Sequence, residues 1–124
     1  MTFILVPSHA DPDGGLQVNA WNWRPTLELL RRARLLDDET VERASAQGAG
    51  GRVTAGQAVR IAGFLDRYLA DLTPGQRVRS DGTVTGEPKS YRLDEEPREI
   101  YSAAYEWLSR FRDFCRTSGG FTVA

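Results

Sequence analysis

With 124 residues, 40% of them apolar and 27% charged, the chain is long enough for one hydrophobic core and too short for two ordinary domains. A formal net charge of −1 excludes the charge imbalance of a disordered chain and the basic surplus that phosphate neutralisation demands of a general nucleic-acid binder. Lys89 is the only lysine among 16 basic residues, a bias that GC-rich coding produces and that also suits bidentate contacts to carboxylate or phosphate.

Thr2 to Val6 is a β-rich run stopped by Pro7 and reads as a buried strand. Within it Phe3-Ile4-Leu5-Val6 is far shorter than a signal peptide or a membrane span, so the expectation is a cytoplasmic chain without membrane association. Ser8 to Gly15 is turn-rich, and Leu16 to Ala20 alternates apolar and polar residues as a half-buried strand does.

The first helix is placed from Pro25, whose fixed φ and missing N–H suit the first helical position. Leu27, Leu30 and Ala33 mark its inner face, widened by Leu29 and Leu36, while Glu28 can pair with Arg31 or Arg32 outside. Asp37 reads as the cap of a short second helix from Asp38 to about Ala46, ended by Gly48-Ala49-Gly50-Gly51. Thr54 and Gln57 have the spacing of a capping box. The helix they open runs to Leu72, with Ala58, Ile61, Ala62, Leu65, Leu69 and Leu72 on one side, broadened by Phe64 and Tyr68. That stripe feeds one core or leaves apolar surface for a homo-oligomer, and its width does not say what covers it.

After Thr73-Pro74-Gly75, Arg77-Val78-Arg79 leads through Ser80-Asp81-Gly82 into Thr83-Val84-Thr85, a hairpin signature. Residues 86–96 are irregular and polar. The last helix is predicted from Pro97 to about Ser118, with Ile100, Ala104, Trp107, Leu108, Phe111, Phe114 and Cys115 on one face and Glu99, Glu106, Arg110, Asp113 and Arg116 opposite. Gly119 stops it, and Phe121-Thr122-Val123 reads as a terminal strand. The sum is an α+β fold: a helix-rich single domain over 1–124 with three to four helices and a small sheet involving the N- and C-terminal strands.

The segment Asn19-Ala20-Trp21-Asn22-Trp23-Arg24-Pro25 carries the most suggestive chemistry. If it is extended, Trp21 and Trp23 point the same way. Asn19 and Asn22 then add amide groups, and Arg24 stands before a helix N-terminus, which favours anions. It reads either as an aromatic and polar platform for a partner or ligand, or as a wedge between sheet and helix with the asparagines bonding turn backbone.

Other constellations are thinner. His9, Asp11 and Asp13 could form a loose metal site, but the EF-hand pattern fails from Asp11, where positions 5, 6 and 12 are Gly15, Leu16 and Asn22. A solvated turn is the competing reading. His9 is the only histidine, and its possible thiol partner Cys115, the only cysteine, lies in the apolar stripe of the last helix. A single cysteine also excludes an internal disulfide and a cysteine-based zinc site. Asp94-Glu95-Glu96 with Glu99 suits a helix start. Gly48 to Gly51 lacks the spacing of phosphate and dinucleotide loops, and Arg31, Arg32 and Arg34 are spread around their helix as a solvated face. No cofactor is expected.

Three stretches, Asn22-Trp23-Arg24-Pro25-Thr26, Asp81-Gly82-Thr83-Val84-Thr85 and Phe114-Cys115-Arg116 through Ser118-Gly119-Gly120-Phe121, together resemble a group of small one-domain bacterial proteins without an assigned activity. The resemblance implies a bacterial cytosolic protein and brings no catalytic residue. In size and charge the chain is also similar to toxin-neutralising immunity proteins. Two functions stay open: a non-enzymatic interaction module, immunity-like or an accessory subunit, with a protein partner; and a small-molecule or metal binder or modest enzyme. The second predicts a pocket where Asn19–Arg24 meets the last helix, with His9, Asp11 or Tyr101 as polar groups.

Overall fold

The computed structural model describes residues 2–8, 15–46, 49–86 and 101–124. Alternation sets the first sheet. In β1 (Thr2–Pro7) Phe3, Leu5 and Pro7 are buried while Thr2, Ile4 and Val6 face outward. The strand is therefore half-buried rather than buried, with Ile4 41% and Val6 42% exposed. It also includes Pro7. β2 (Leu16–Asn19) pairs with β1 only as far as Leu5, so Pro7 sits at the sheet margin, where a missing donor is tolerated. β7 (Phe121–Val123) lies on the other side of β1 and pairs in turn with β3 (Arg52–Val53), giving the antiparallel order β2-β1-β7-β3. The N- and C-terminal strands thus lie side by side, as the sequence predicts.

A second antiparallel sheet, β5-β4-β6, joins the Asp81-Gly82 hairpin to a strand that periodicity alone does not show. β4 (Arg77–Arg79) pairs with β5 (Val84–Thr85) and with β6 (Ser102–Ala104). The last helix is shortened accordingly. It begins at Tyr105, eight residues after the predicted start, because Ser102 to Ala104 are spent pairing with β4 and the Tyr105 N–H bonds the Gln76 carbonyl. Pro97, Glu99 and Ile100 lie outside the described residues.

Among the described residues there are four helices: α1 (Ala20–Arg32), α2 (Asp38–Ser45), α3 (Ala55–Ala70) and α4 (Tyr105–Thr117). Three of their termini follow local signals. Asp37 accepts from the Thr40 N–H at α2, Thr54 and Gln57 form the reciprocal capping box at α3, and left-handed Gly119 follows α4 at φ 69°. Gly120 continues at φ 95°, where a Cβ would stand 2.7 Å from the Val53 carbonyl oxygen, so this turn admits only glycine without moving β3.

The largest correction is the start of α1. It opens at Ala20 rather than Pro25, with Asn19 as its cap: Asn19 Oδ1 accepts from the Asn22 N–H at 3.0 Å. Pro25 therefore lies inside the helix, where it cannot donate to the ladder. Capping and burial of the residues before it offset that loss.

The core is continuous from sheet to helices. Trp23 is fully buried, edge-on to Trp107 (6.4 Å) and to Phe111 (5.6 Å), which stack on each other at 5.5 Å; Phe111 meets Phe121 of β7. Cys115 is buried in this layer, on the face of α4 where the sequence places it. No helix among the described residues is long and apolar enough to cross a membrane.

Candidate functional site

A helical start at Ala20 divides the Asn19–Arg24 segment between two jobs. Two residues along a helix turn the side chain by roughly 200°. Trp21 and Trp23 therefore point to opposite sides instead of sharing one, as an extended segment would have them. Trp23 goes into the core, and its Nε1–H donates to the Ala44 carbonyl at 2.8 Å, tying α1 to the end of α2. Trp21 is half-buried, with its ring 5.3 Å from that of Tyr101.

The asparagines serve the scaffold. Asn19 accepts from both the backbone N–H and the Nδ2 of Asn22. Asn22 Oδ1 in turn accepts from the Ala104 N–H (2.9 Å) and from Arg77 Nη2 (3.4 Å), pinning the first turn of α1 to the second sheet. Thr26, fully buried, continues the polar line: it donates to the Asn22 carbonyl at 2.7 Å and accepts from Trp107 Nε1 at 2.9 Å.

Arg24 is different. It is half-buried, its Nε is shut off from solvent without a hydrogen-bond partner, and no carboxylate among the described residues lies within ion-pair distance. Its side chain lines a cleft of about 470 Å³ between α1 and α2. Leu27 and Val41 are buried side chains lining it, and Glu28, Glu42, Ser45, Ser80 and Tyr101 add polar groups. The hairpin is brought to this cleft by Arg32, which donates to the Ser80 carbonyl. Glu28 is already engaged by Arg31.

The cleft's volume falls inside the usual ~300–1,000 Å³ of ligand pockets, and its lining is mixed, with Leu27 and Val41 beside charged and hydroxyl groups. Its lining puts an always-charged donor fork beside hydroxyls and two carboxylates, a set suited to recognition. It brings together Arg24 and Tyr101 of the residues singled out in the sequence. Glu42, Ser45 and Ser80 carry no sequence signal, since only packing of α2 and the hairpin against α1 places them there.

A second depression, about 550 Å³, is lined by Arg31, Arg34, Asp37, Asp38, Gln57 and Arg60 among others. Its groups are largely committed: Arg31 pairs with Glu28 and Asp38, and Asp37 and Gln57 serve helix caps. Burial pushes the Cys115 thiol far above its ordinary range, so it carries no nucleophilic thiolate near neutral pH. His9, Asp11, Asp13 and the Asp94–Glu99 carboxylates lie outside the described residues. Among the described ones, no group of three or more His, Cys, Asp or Glu side chains is arranged to hold a metal. No protein-family model, no curated protein and no solved structure matches this chain.

Proposed function

We propose that this protein acts by binding rather than catalysis, as an interaction module in the manner of an immunity factor or accessory subunit. Its partner would place one group in the α1–α2 cleft. The observation that carries this reading is Arg24, a half-buried arginine lining a cleft with its Nε buried and unbonded. Burial closes that Nε to a partner as it does to water, but the guanidinium's charge has no ion pair among the described residues, and an acceptor placed in the cleft would answer it. Arginine is also enriched among the residues that dominate protein interfaces.

The test is affinity purification of the tagged chain from its native cells, with wild type and Arg24→Gln side by side. A stoichiometric protein is expected with wild type and lost with the variant, at unchanged thermal stability. Recovery of no stoichiometric partner, or of one indifferent to Arg24, overturns the reading. A second reading, a small-molecule binder, is favoured by the cleft's volume and mixed lining. A thermal shift with a metabolite of matching chemistry would distinguish it.

A further inference from the structure

The cleft's lining is specific enough to name the chemistry of its occupant, and this step rests on the reading of the cleft as a binding site. We infer that it takes a single carboxylate attached to a short apolar body, with Arg24 as the receptor for the two oxygens.

The charge inventory sets the ligand's charge. With its Nε closed off from solvent, Arg24 keeps the paired Nη1 and Nη2 groups of a rigid fork that matches a carboxylate bidentately, and neither is engaged by a described residue. Around it stand Glu28 and Glu42. Glu28 is balanced by Arg31, and Glu42 is exposed, where solvent screens its charge, so Arg24 is the one unengaged and partly buried charge of the described lining before a ligand arrives. One negative charge on the ligand is therefore compensated, whereas a phosphate dianion would meet two rim carboxylates with only one unengaged arginine. A cation would meet Arg24.

The walls set the ligand's body. Leu27 and Val41, 1% and 7% exposed, offer hydrocarbon next to the charged head and favour a few carbons over a hydrated polyol. Ser80 and Tyr101 add hydroxyls that can donate to an oxygen the guanidinium does not hold, while the Ser45 O–H is committed to the Glu42 carbonyl. Two sources present this chemistry: a free amphipathic carboxylic acid, or the C-terminus of a chain ending in an apolar residue.

The probe pair is N-acetyl-leucine and its C-terminal amide, which differ only in the charged head. Binding is read from amide chemical shifts of residues around the cleft in the full chain. Saturable binding of the acid is expected, with the amide weaker by about tenfold or more, as loss of a charge-assisted contact implies. Arg24→Gln should weaken the acid about as much, and Arg24→Lys should restore only part of it, because the charge returns without the fork. Glu42→Gln, at an exposed position, should tighten the acid about twofold.

A longer peptide ending in leucine that binds markedly tighter than N-acetyl-leucine assigns the source to a chain terminus, and equal affinity assigns it to the free acid. Equal binding of acid and amide overturns the carboxylate inference while leaving the cleft a binding site. Absence of acid-induced shifts at Leu27, Val41 and Ser80 also overturns it. A carboxylate-selective cleft together with a partner indifferent to Arg24 overturns the protein-partner reading instead.

Discussion

Arg77 and Arg24 flank Asn22 in space and in sequence respectively, both half-buried, yet their surroundings are opposite. Arg77 spends its guanidinium on the scaffold: Nε donates to Ser102 Oγ at 2.6 Å, and Nη2 reaches the Ser102 carbonyl and Asn22 Oδ1. Burial lowers its pKa, the expected cost of desolvating the cation, while Glu106 offsets part of that cost. Arg24 has a buried Nε without a bond. The difference teaches where to look for function: a satisfied buried charge holds the fold, and an unsatisfied one is where the proposed partner is to be sought.

The same contrast divides the two tryptophans, and there the expected effect is largest. Trp23→Ala removes a fully buried indole, its bond to the Ala44 carbonyl and the centre of an aromatic cluster. A loss of about 3–5 kcal/mol is expected in urea unfolding. Trp21→Ala, from a half-exposed site, should cost much less; equal losses would place both tryptophans in the core and end the division of this segment.

Arginine truncations test the comparison directly. Arg77→Leu should cost about 2–4 kcal/mol, because it removes the donors to Ser102 Oγ and to the Ser102 carbonyl at a partly buried site. Arg24→Leu should stay within about 1 kcal/mol of wild type, since an unbonded Nε goes with it, while partner capture is lost. Equal destabilisation of the two variants, measured by the same denaturation, breaks the argument that Arg24 is kept for something other than stability.

A smaller effect separates the two ends of α1. Arg34 sits in the left-handed region at φ 60°, where the N–H groups of Arg34 and Leu35 close the helix on the carbonyls of Arg31 and Leu30. Glycine is the usual residue there, so Arg34→Gly should raise stability by about 1 kcal/mol. A loss instead would mean that the Arg34 side chain contributes more than its backbone strain costs.

The smallest effect is a pH dependence. Hydrogen bonds from Thr40 and Thr83 hold the carboxyls of Asp37 and Asp81 below the usual aspartate range. A lowered folded value means that their contribution is complete above the unfolded pKa of ~3.9 and is lost as pH falls through the folded value. Acid unfolding of Asp37→Asn and Asp81→Asn should therefore show less stability lost between pH 5 and pH 2, on the order of those reference values, than wild type. An unchanged acid limb would show that neither the Asp37 cap bond nor the Asp81 turn bond favours the ionised carboxylate.

Much of the fold was legible because its signals are local. Asp37, the Thr54–Gln57 box, the Asp81-Gly82 turn and Gly119 each satisfy backbone groups within a few residues, so the chain displays them without reference to distant neighbours. The inward face of α4, with Cys115 in it, follows from period alone. Asn19 also carried a legible signal, a capping side chain three residues before Asn22, but Pro25 offered a stronger local one. Burial of Trp23 and the tie from Asn22 to Ala104 outweighed it.

The sequence by itself determined the composition of the layers: which helix faces are apolar, which turns close, and that both termini form strands. Only the tertiary structure decided where α1 and α4 begin, because strand pairing at Ser102–Ala104 and core burial at Trp23 are interactions between distant parts of the chain. The cleft belongs to the same class. Arg24, Val41, Glu42, Ser80 and Tyr101 come from four separated segments, and their meeting has no period or spacing to announce it. Local hydrogen bonding writes itself into neighbouring residues, whereas a cleft is written only in the packing that brings remote ones together.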